Sequence, residues 1–188
     1  MSEPTLITAP TDTPIEEADL RTQLRILDRS EDQYLRTLIE AATETLQAIA
    51  WRQFMTATYS LTYDSFSDRM ELPKPPLKSA TIAYLDTAGN SQALATTVYE
   101  VVTNATPGFI RLKYGQTWPA VYGHPDAVTV TFVCGYGAAS AVPARTRHAV
   151  KLLAAHLYQT REPVVVGTIV SDVPMGIRYL LDRANQVG

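Results

Sequence analysis

The 188-residue chain contains one cysteine, two tryptophans, four phenylalanines and nine glycines. None of its apolar runs approaches the roughly 20 residues that a membrane-spanning helix needs. A lone Cys134 excludes an internal disulfide, so the fold must rest on its core. Within the strand-like run Ala127 to Cys134 the thiol reads as a small buried apolar group. The opening Met1-Ser2-Glu3-Pro4 lacks the basic, apolar, small-residue progression of an export signal, giving the expectation of a protein made and used in the cytoplasm. Internal repeats and low-complexity tracts are also lacking.

Catalytic patterns are equally scarce. No G-x-S-x-G occurs, so a serine on a strained nucleophile turn is not expected. His148 and His156 lie eight apart on one helix, whereas a helical metal pair needs four, and no Cys or carboxylate completes a ligand set with them or with His124. These histidines read as partly buried or interface side chains. Cys134-Gly135-Tyr136-Gly137 has no third glycine, lysine or hydroxyl in register for a phosphate loop and reads as a strand-to-helix turn. Glu16-Glu17 and Glu31-Asp32 sit where first helical turns are expected, and the helix dipole accounts for both pairs. Arg145, Arg147 and Lys151 cluster on one helix, but the pI near 5.6 and the absence of a basic, aromatic-interleaved stripe argue against tight nucleic-acid binding. No enzyme, cofactor or metal site is expected.

What the chain does have is 46% apolar residues and 19% charged ones, enough for an ordinary globular core. Its net charge of −3 is uneven: residues 1 to 55 contribute −5, the middle −1 and residues 136 to 188 +3. Ends of opposite sign suit copies that sit beside one another.

The first dozen residues, with Pro4 and Pro10, read as an extended strap without regular structure. Thr13-Pro14-Ile15-Glu16 has capping-box spacing and predicts a short helix to about Leu27; Ser30 with Gln33 predicts a second, long helix to about Trp51. Leu35, Leu38, Ile39, Ala42, Leu46 and Ile49 give that helix an apolar stripe. Beyond Met55 the period changes to two at Tyr59, Leu61 and Tyr63 and at Ile82 and Tyr84, with further strands expected near 98 to 103, 109 to 113 and 127 to 134. Turn chemistry separates them at Leu72 to Pro76, Asp86 to Asn90, Thr106 to Gly108 and His124 to Asp126. Helix returns at Pro143, where Val150, Leu153, Ala154 and Leu157 form a stripe able to close on that of the second helix. The expected fold class is therefore α+β: a helical bundle core with an inserted antiparallel β module and a C-terminal arm. Its expected parts are strap and helices over 1–55, β insertion over 56–135, core helix over 136–162, and arm with a short helix over 163–188.

The arm carries the run Val164-Val165-Val166-Gly167-Thr168-Ile169-Val170, too short to span a membrane and apolar enough to need a partner. With Arg161 and Glu162 before it and Ile177, Tyr179 and Leu180 after it, it is the expected assembly surface.

Taken in order, several segments resemble the long form of the phage head–tail connector (adaptor) family, which is also found in prophages and gene transfer agents. They are Ser30-Glu31-Asp32 with Leu35, Leu38-Ile39 and Ala41-Ala42; Trp51-Arg52-Gln53; Leu72-Pro73, Pro75-Pro76-Leu77; Trp118-Pro119; Gly135-Tyr136-Gly137; Val142-Pro143; and Leu157-Tyr158 with Arg161-Glu162. At Trp51 the family often carries a glycine. The resemblance implies a structural virion protein without catalysis, a ring of copies of itself, usually twelve, docked below the portal protein. Such a ring offers a platform to a tail terminator, stopper or other tail protein and lets DNA pass without specific binding. It also implies that the arm from Pro163 onward contacts the portal or a neighbouring subunit. An acidic lumen would let the duplex slide, which gives the expectation that the acidic N-terminal helices face it. The competing reading is a monomeric tail-associated module whose tyrosine-rich sheet grips a ligand or glycan.

Overall fold

A computed structural model describes residues 3–160 and Leu180. The described chain runs β1 (Thr5–Thr8), α1 (Glu17–Leu24), α2 (Asp32–Ala50), β2 (Ala57–Tyr63), β3 (Arg69–Leu72), β4 (Leu77–Leu85), β5 (Ser91–Ala93), β6 (Tyr99–Val102), β7 (Gly108–Leu112), β8 (Val128–Cys134) and α3 (Ala144–Gln159). It divides into two compact units. One takes the chain up to Pro10 and then Thr56–Gly135; the other takes Thr11–Met55 and the chain from Tyr136.

In the helical unit, α2 buries Leu35, Ile39, Ala42, Leu46 and Ala50, spaced so that all fall on one face. α3 meets it with Ala149, Val150, Leu153 and Ala154, and Leu20 of α1 closes the same core with no exposed surface. The expected pairing of the two long stripes is present, with Leu38 and Leu157 half-buried at its margin, but Ile49, expected in the α2 stripe, is exposed near the helix end. Neither predicted capping box forms. The Thr13 hydroxyl donates to the Ile15 carbonyl at 2.7 Å, the Ser30 hydroxyl donates to Asp28, and α1 and α2 start at Glu17 and Asp32 with no side-chain cap. A short polar side chain has several backbone and carboxylate partners within reach, and here the local turns take them.

The other unit is all β. A five-stranded antiparallel sheet has the order β1-β2-β8-β4-β5, and a three-stranded one the order β3-β7-β6. β2 and β8 alternate buried and half-buried side chains along their lengths and pair from Ala57↔Cys134 to Tyr63↔Val128. Inward residues of both sheets form one core, including Leu61, Met70, Leu72, Ile110, Val130 and Phe132. Gly108 opens β7 where an added Cβ would lie 2.7 Å from Leu77 Cβ, so glycine permits the backbone to come this close. Gly135, at φ 108°, turns the chain out of β8 and donates its N–H to the Pro76 carbonyl at 2.9 Å.

These observations overturn the expected helical bundle core with a β insertion. Eight strands in two sheets, against three helices, make the described fold mostly antiparallel sheet. The strap expectation fails as well: Thr5-Leu6-Ile7-Thr8 is a strand, because Pro4 and Pro10 bracket the β-favouring run and do not interrupt it. β3 and β5 went unpredicted since three or four residues are too few to display a period.

Candidate assembly surfaces

Of the arm residues singled out in the sequence, Arg161, Glu162, Val164, Val165, Val166, Ile169, Val170, Ile177 and Tyr179 lie outside the described residues. Leu180 is helical, half-buried, and packs against the helical core. The end of α3 from which the arm departs is held in place. The Tyr158 hydroxyl donates to Glu31 Oε2, and its ring lies 6.1 Å from that of Tyr34, centroid to centroid. The turn entering α2 at this end holds Leu27 wholly in solvent. Asp28 braces that turn by accepting hydrogen bonds from the Ser30 hydroxyl and the Ser30 N–H, which lower its carboxyl pKa in that order of importance.

At the opposite end of α2, Trp51 adopts the left-handed conformation, φ 53°, with 76% of its surface exposed. Glycine usually occupies this helix-ending position because a Cβ is strained there. Arg52 N–H donates to the Gln47 carbonyl at 3.2 Å, and Phe54 N–H to Gln47 Oε1 at 2.8 Å, so the turn closes around an indole facing water. Ile49 is exposed two residues earlier. A strained backbone and a solvated tryptophan both cost free energy within the chain, which makes this end a candidate contact surface.

Charge on the helical unit is largely internal. Arg21 pairs with Asp32, Arg36 reaches Glu40 at 3.2 Å and Glu17 at 3.8 Å, and Lys151 reaches Asp19 at 3.4 Å. Lys151 thus leaves the basic trio read from the sequence, while Arg145 stays exposed. Glu40 and Glu44 remain on the solvent side of α2. The exposed Arg36–Glu40 pair contributes about 0–1 kcal/mol and does not decide the fold, whereas Arg21–Asp32 is part-buried.

On the β unit, Leu6 and Ile7 of the edge strand β1 are exposed by 48% and 60%, and every side chain of β1 is exposed. Leu6 is the cross-strand partner of the buried Tyr59. The connection from β7 to β8 exposes Tyr114 completely and stacks Tyr122 against His124, ring centroids 6.1 Å apart. It is anchored where Trp118 stacks on Phe66 at 4.6 Å. An open polar groove of about 480 Å³ runs along Thr62, Tyr63, Asp64, Ser65, Ser67, Arg69 and Glu71. Its polar groups are engaged internally: Tyr63 donates to the Glu71 carbonyl, Asp64 accepts from the Asp126 N–H, and Arg69 pairs with Glu71.

Reactive chemistry is muted. Burial pushes the Cys134 thiol up to about 12, far from the thiolate needed of a nucleophile, and the side chain sits in the β core as expected. His148 and His156 are exposed, not partly buried. Among the described residues no group of three His, Cys, Asp or Glu side chains is placed to hold a metal ion. Among them, too, no helix is long and apolar enough to cross a membrane.

No protein-family model matches the sequence, and no curated protein is similar to it. Solved structures are similar in fold over nearly the whole chain. One is a chain of the neck of an empty GTA particle with C6 symmetry, at TM-score 0.80 and 23% identity, covering 97% of this chain and 94% of that one. A second belongs to the virion of a native gene transfer agent (GTA) particle, at TM-score 0.78 and 23% identity with the same coverage. A third belongs to the neck of a native GTA particle with C12 symmetry, at TM-score 0.77 and 22% identity, again over 97% and 94%. The described protein therefore has the fold of chains that occur in the neck and virion of gene transfer agent particles.

Proposed function

We propose that this protein is a structural subunit of the neck of a tailed, phage-like particle, a head–tail connector ring between portal and tail through which DNA passes. The observation that carries the reading is the similarity in fold to gene transfer agent neck chains over 97% of this chain and 94% of theirs. Those necks have C6 and C12 symmetry, which supports a cyclic ring of copies, twelve in the fuller case. The exposed apolar ends of the helical unit and the uncharged edge of the β unit supply surfaces that such a ring would cover. The ring acts as a conduit and platform, not as a catalyst, and its place is in the virion.

In this reading the arm, from Arg161 and Glu162 through the apolar Val164 to Val170 run and on to Ile177 and Tyr179, docks on the portal protein or a neighbouring subunit, while Leu180 holds the end of the arm to the helical core. The exposed carboxylates of α2 face the lumen, where negative charge lets the DNA slide. Purified protein mixed with the particle's portal protein tests the reading by mass photometry and electron microscopy. A twelve-subunit layer on the portal is the expected result; a chain that stays monomeric with and without portal refutes it. The arm is tested by replacing Val165 and Ile169 with Asp, which should abolish portal binding and leave the circular dichroism melt unchanged.

A further inference from the structure

The edges of the two sheets are treated differently. In the three-stranded sheet, edge strand β3 carries Arg69 and Glu71, paired at 2.9 Å, and edge strand β6 carries Glu100, paired with Arg111 at 2.8 Å. Charged side chains of this kind keep an open edge from recruiting another strand. The five-stranded sheet ends in β1 (Thr5-Leu6-Ile7-Thr8) and β5 (Ser91-Gln92-Ala93), which carry no charge, no proline and only exposed side chains. β1 adds two exposed large apolar residues, Leu6 and Ile7, and its pairing with β2 shifts register between Leu6 and Thr8. Among the described residues nothing pairs with the outer edge of either strand.

We infer that the outer edge of β1 in one copy pairs with the outer edge of β5 in the next, joining five-stranded sheets around the ring. The inference rests on the ring reading above. A cyclic ring is built from heterologous contacts, in which two different surfaces of the same chain meet, and this sheet offers two different uncharged edges. Strand direction agrees. Four successive antiparallel pairings, β1 to β2, β2 to β8, β8 to β4 and β4 to β5, leave β1 and β5 pointing the same way, so head-to-tail continuation pairs them in parallel. Backbone hydrogen bonds join the copies, and Leu6 and Ile7 lose water as the neighbouring strand covers them.

The test uses the distance between the two edges. Four interstrand spacings separate β1 from β5 within one copy, about 19 Å, beyond the reach of a short bismaleimide. The full-length chain with Ile7→Cys and Gln92→Cys is assembled into rings, treated with such a reagent and run on a denaturing gel. The expected result is a ladder of dimers to higher multimers, absent from either single variant; Cys134, fully buried, does not compete. Rings that form but yield no ladder overturn the contact and leave the ring reading intact. A wild-type chain that never forms rings, alone or on the portal, overturns both. Ile7→Lys gives a second readout, since it places a charge on the edge at a solvent-exposed position. It should raise the protein concentration needed for ring formation about tenfold or more while leaving the melting temperature unchanged. Assembly of Ile7→Lys at the wild-type concentration overturns the contact.

Discussion

In the helical unit Leu20, Leu35, Ile39 and Leu46 are wholly buried, yet Leu27, Ile49 and Trp51 stand in solvent at helix ends. In the β unit the interior is equally dry around Phe132 and Val130, while the exposed apolar residues lie on the outermost strand, at Leu6 and Ile7, and on the connection after β7. The contrast follows from backbone chemistry. A helix satisfies its own N–H and C=O groups except in its first and last turns, so what it offers a partner is chiefly side chains. A sheet leaves a row of unpaired backbone groups along each edge, so what it offers is a place for another strand. One chain thus carries two kinds of candidate assembly surface, and substitutions are expected to affect them differently.

The largest expected effect is on the β core. Phe132 is fully buried and stacks on Tyr59 with centroids 5.8 Å apart, so Phe132→Ala should destabilise by about 3–5 kcal/mol in chemical denaturation. Leu46→Ala is its counterpart in the helical core, at about 2–5 kcal/mol. Hydrogen exchange on both variants sharpens the comparison. Protection lost only in β2, β4 and β8 for Phe132→Ala, and only in α1, α2 and α3 for Leu46→Ala, means two cooperative units; loss of both together in either variant breaks the distinction.

A smaller effect is expected at Gly108, where an alanine Cβ would meet Leu77 Cβ at 2.7 Å. Gly108→Ala should cost about 1–3 kcal/mol through a forced shift of β7 against β4, read as a lowered denaturation midpoint at unchanged slope. At Trp51 the sign reverses. Trp51→Gly removes the left-handed strain and should stabilise the isolated chain by up to about 1 kcal/mol while weakening ring or portal assembly; a variant that melts lower places the indole in the fold's own energetics.

The smallest effect is at alkaline pH. Burial, followed by the nearby Glu71 charge, raises the Tyr63 hydroxyl from 10.0 to about 12. Between those values the folded chain holds a proton that the unfolded chain has released, so stability falls as the pH rises through that window. Tyr63→Phe should flatten this decline, measured as denaturation midpoint against pH. The variant also removes the hydroxyl that donates to the Glu71 carbonyl, so the comparison is of slopes and not of absolute stability.

How much of this was legible in the sequence depended on element length. The stripe of α2, the closing stripe of α3 and the alternation of β2 and β8 were readable because each repeats its period several times. β1, β3 and β5 were not; the fold looked like a helical bundle with an insertion because helical patterns flank the strand patterns on both sides in sequence. Nor does anything near Trp51 announce a left-handed tryptophan: the helix-ending signal is glycine, and its place is taken by the residue that makes the surface. The uncharged edges became visible only once strand order showed which strands are outermost.

By itself the sequence determined the long periodic elements, the buried thiol and the scarcity of catalytic groupings, because each depends on residues close together in the chain. Only the tertiary structure decided that β2 pairs with β8 some seventy positions away, that a strand near the N-terminus forms one sheet edge, and that Leu6, Ile7 and Trp51 remain in water. Strand pairing and exposure depend on which distant surfaces meet, and local pattern carries no record of that choice.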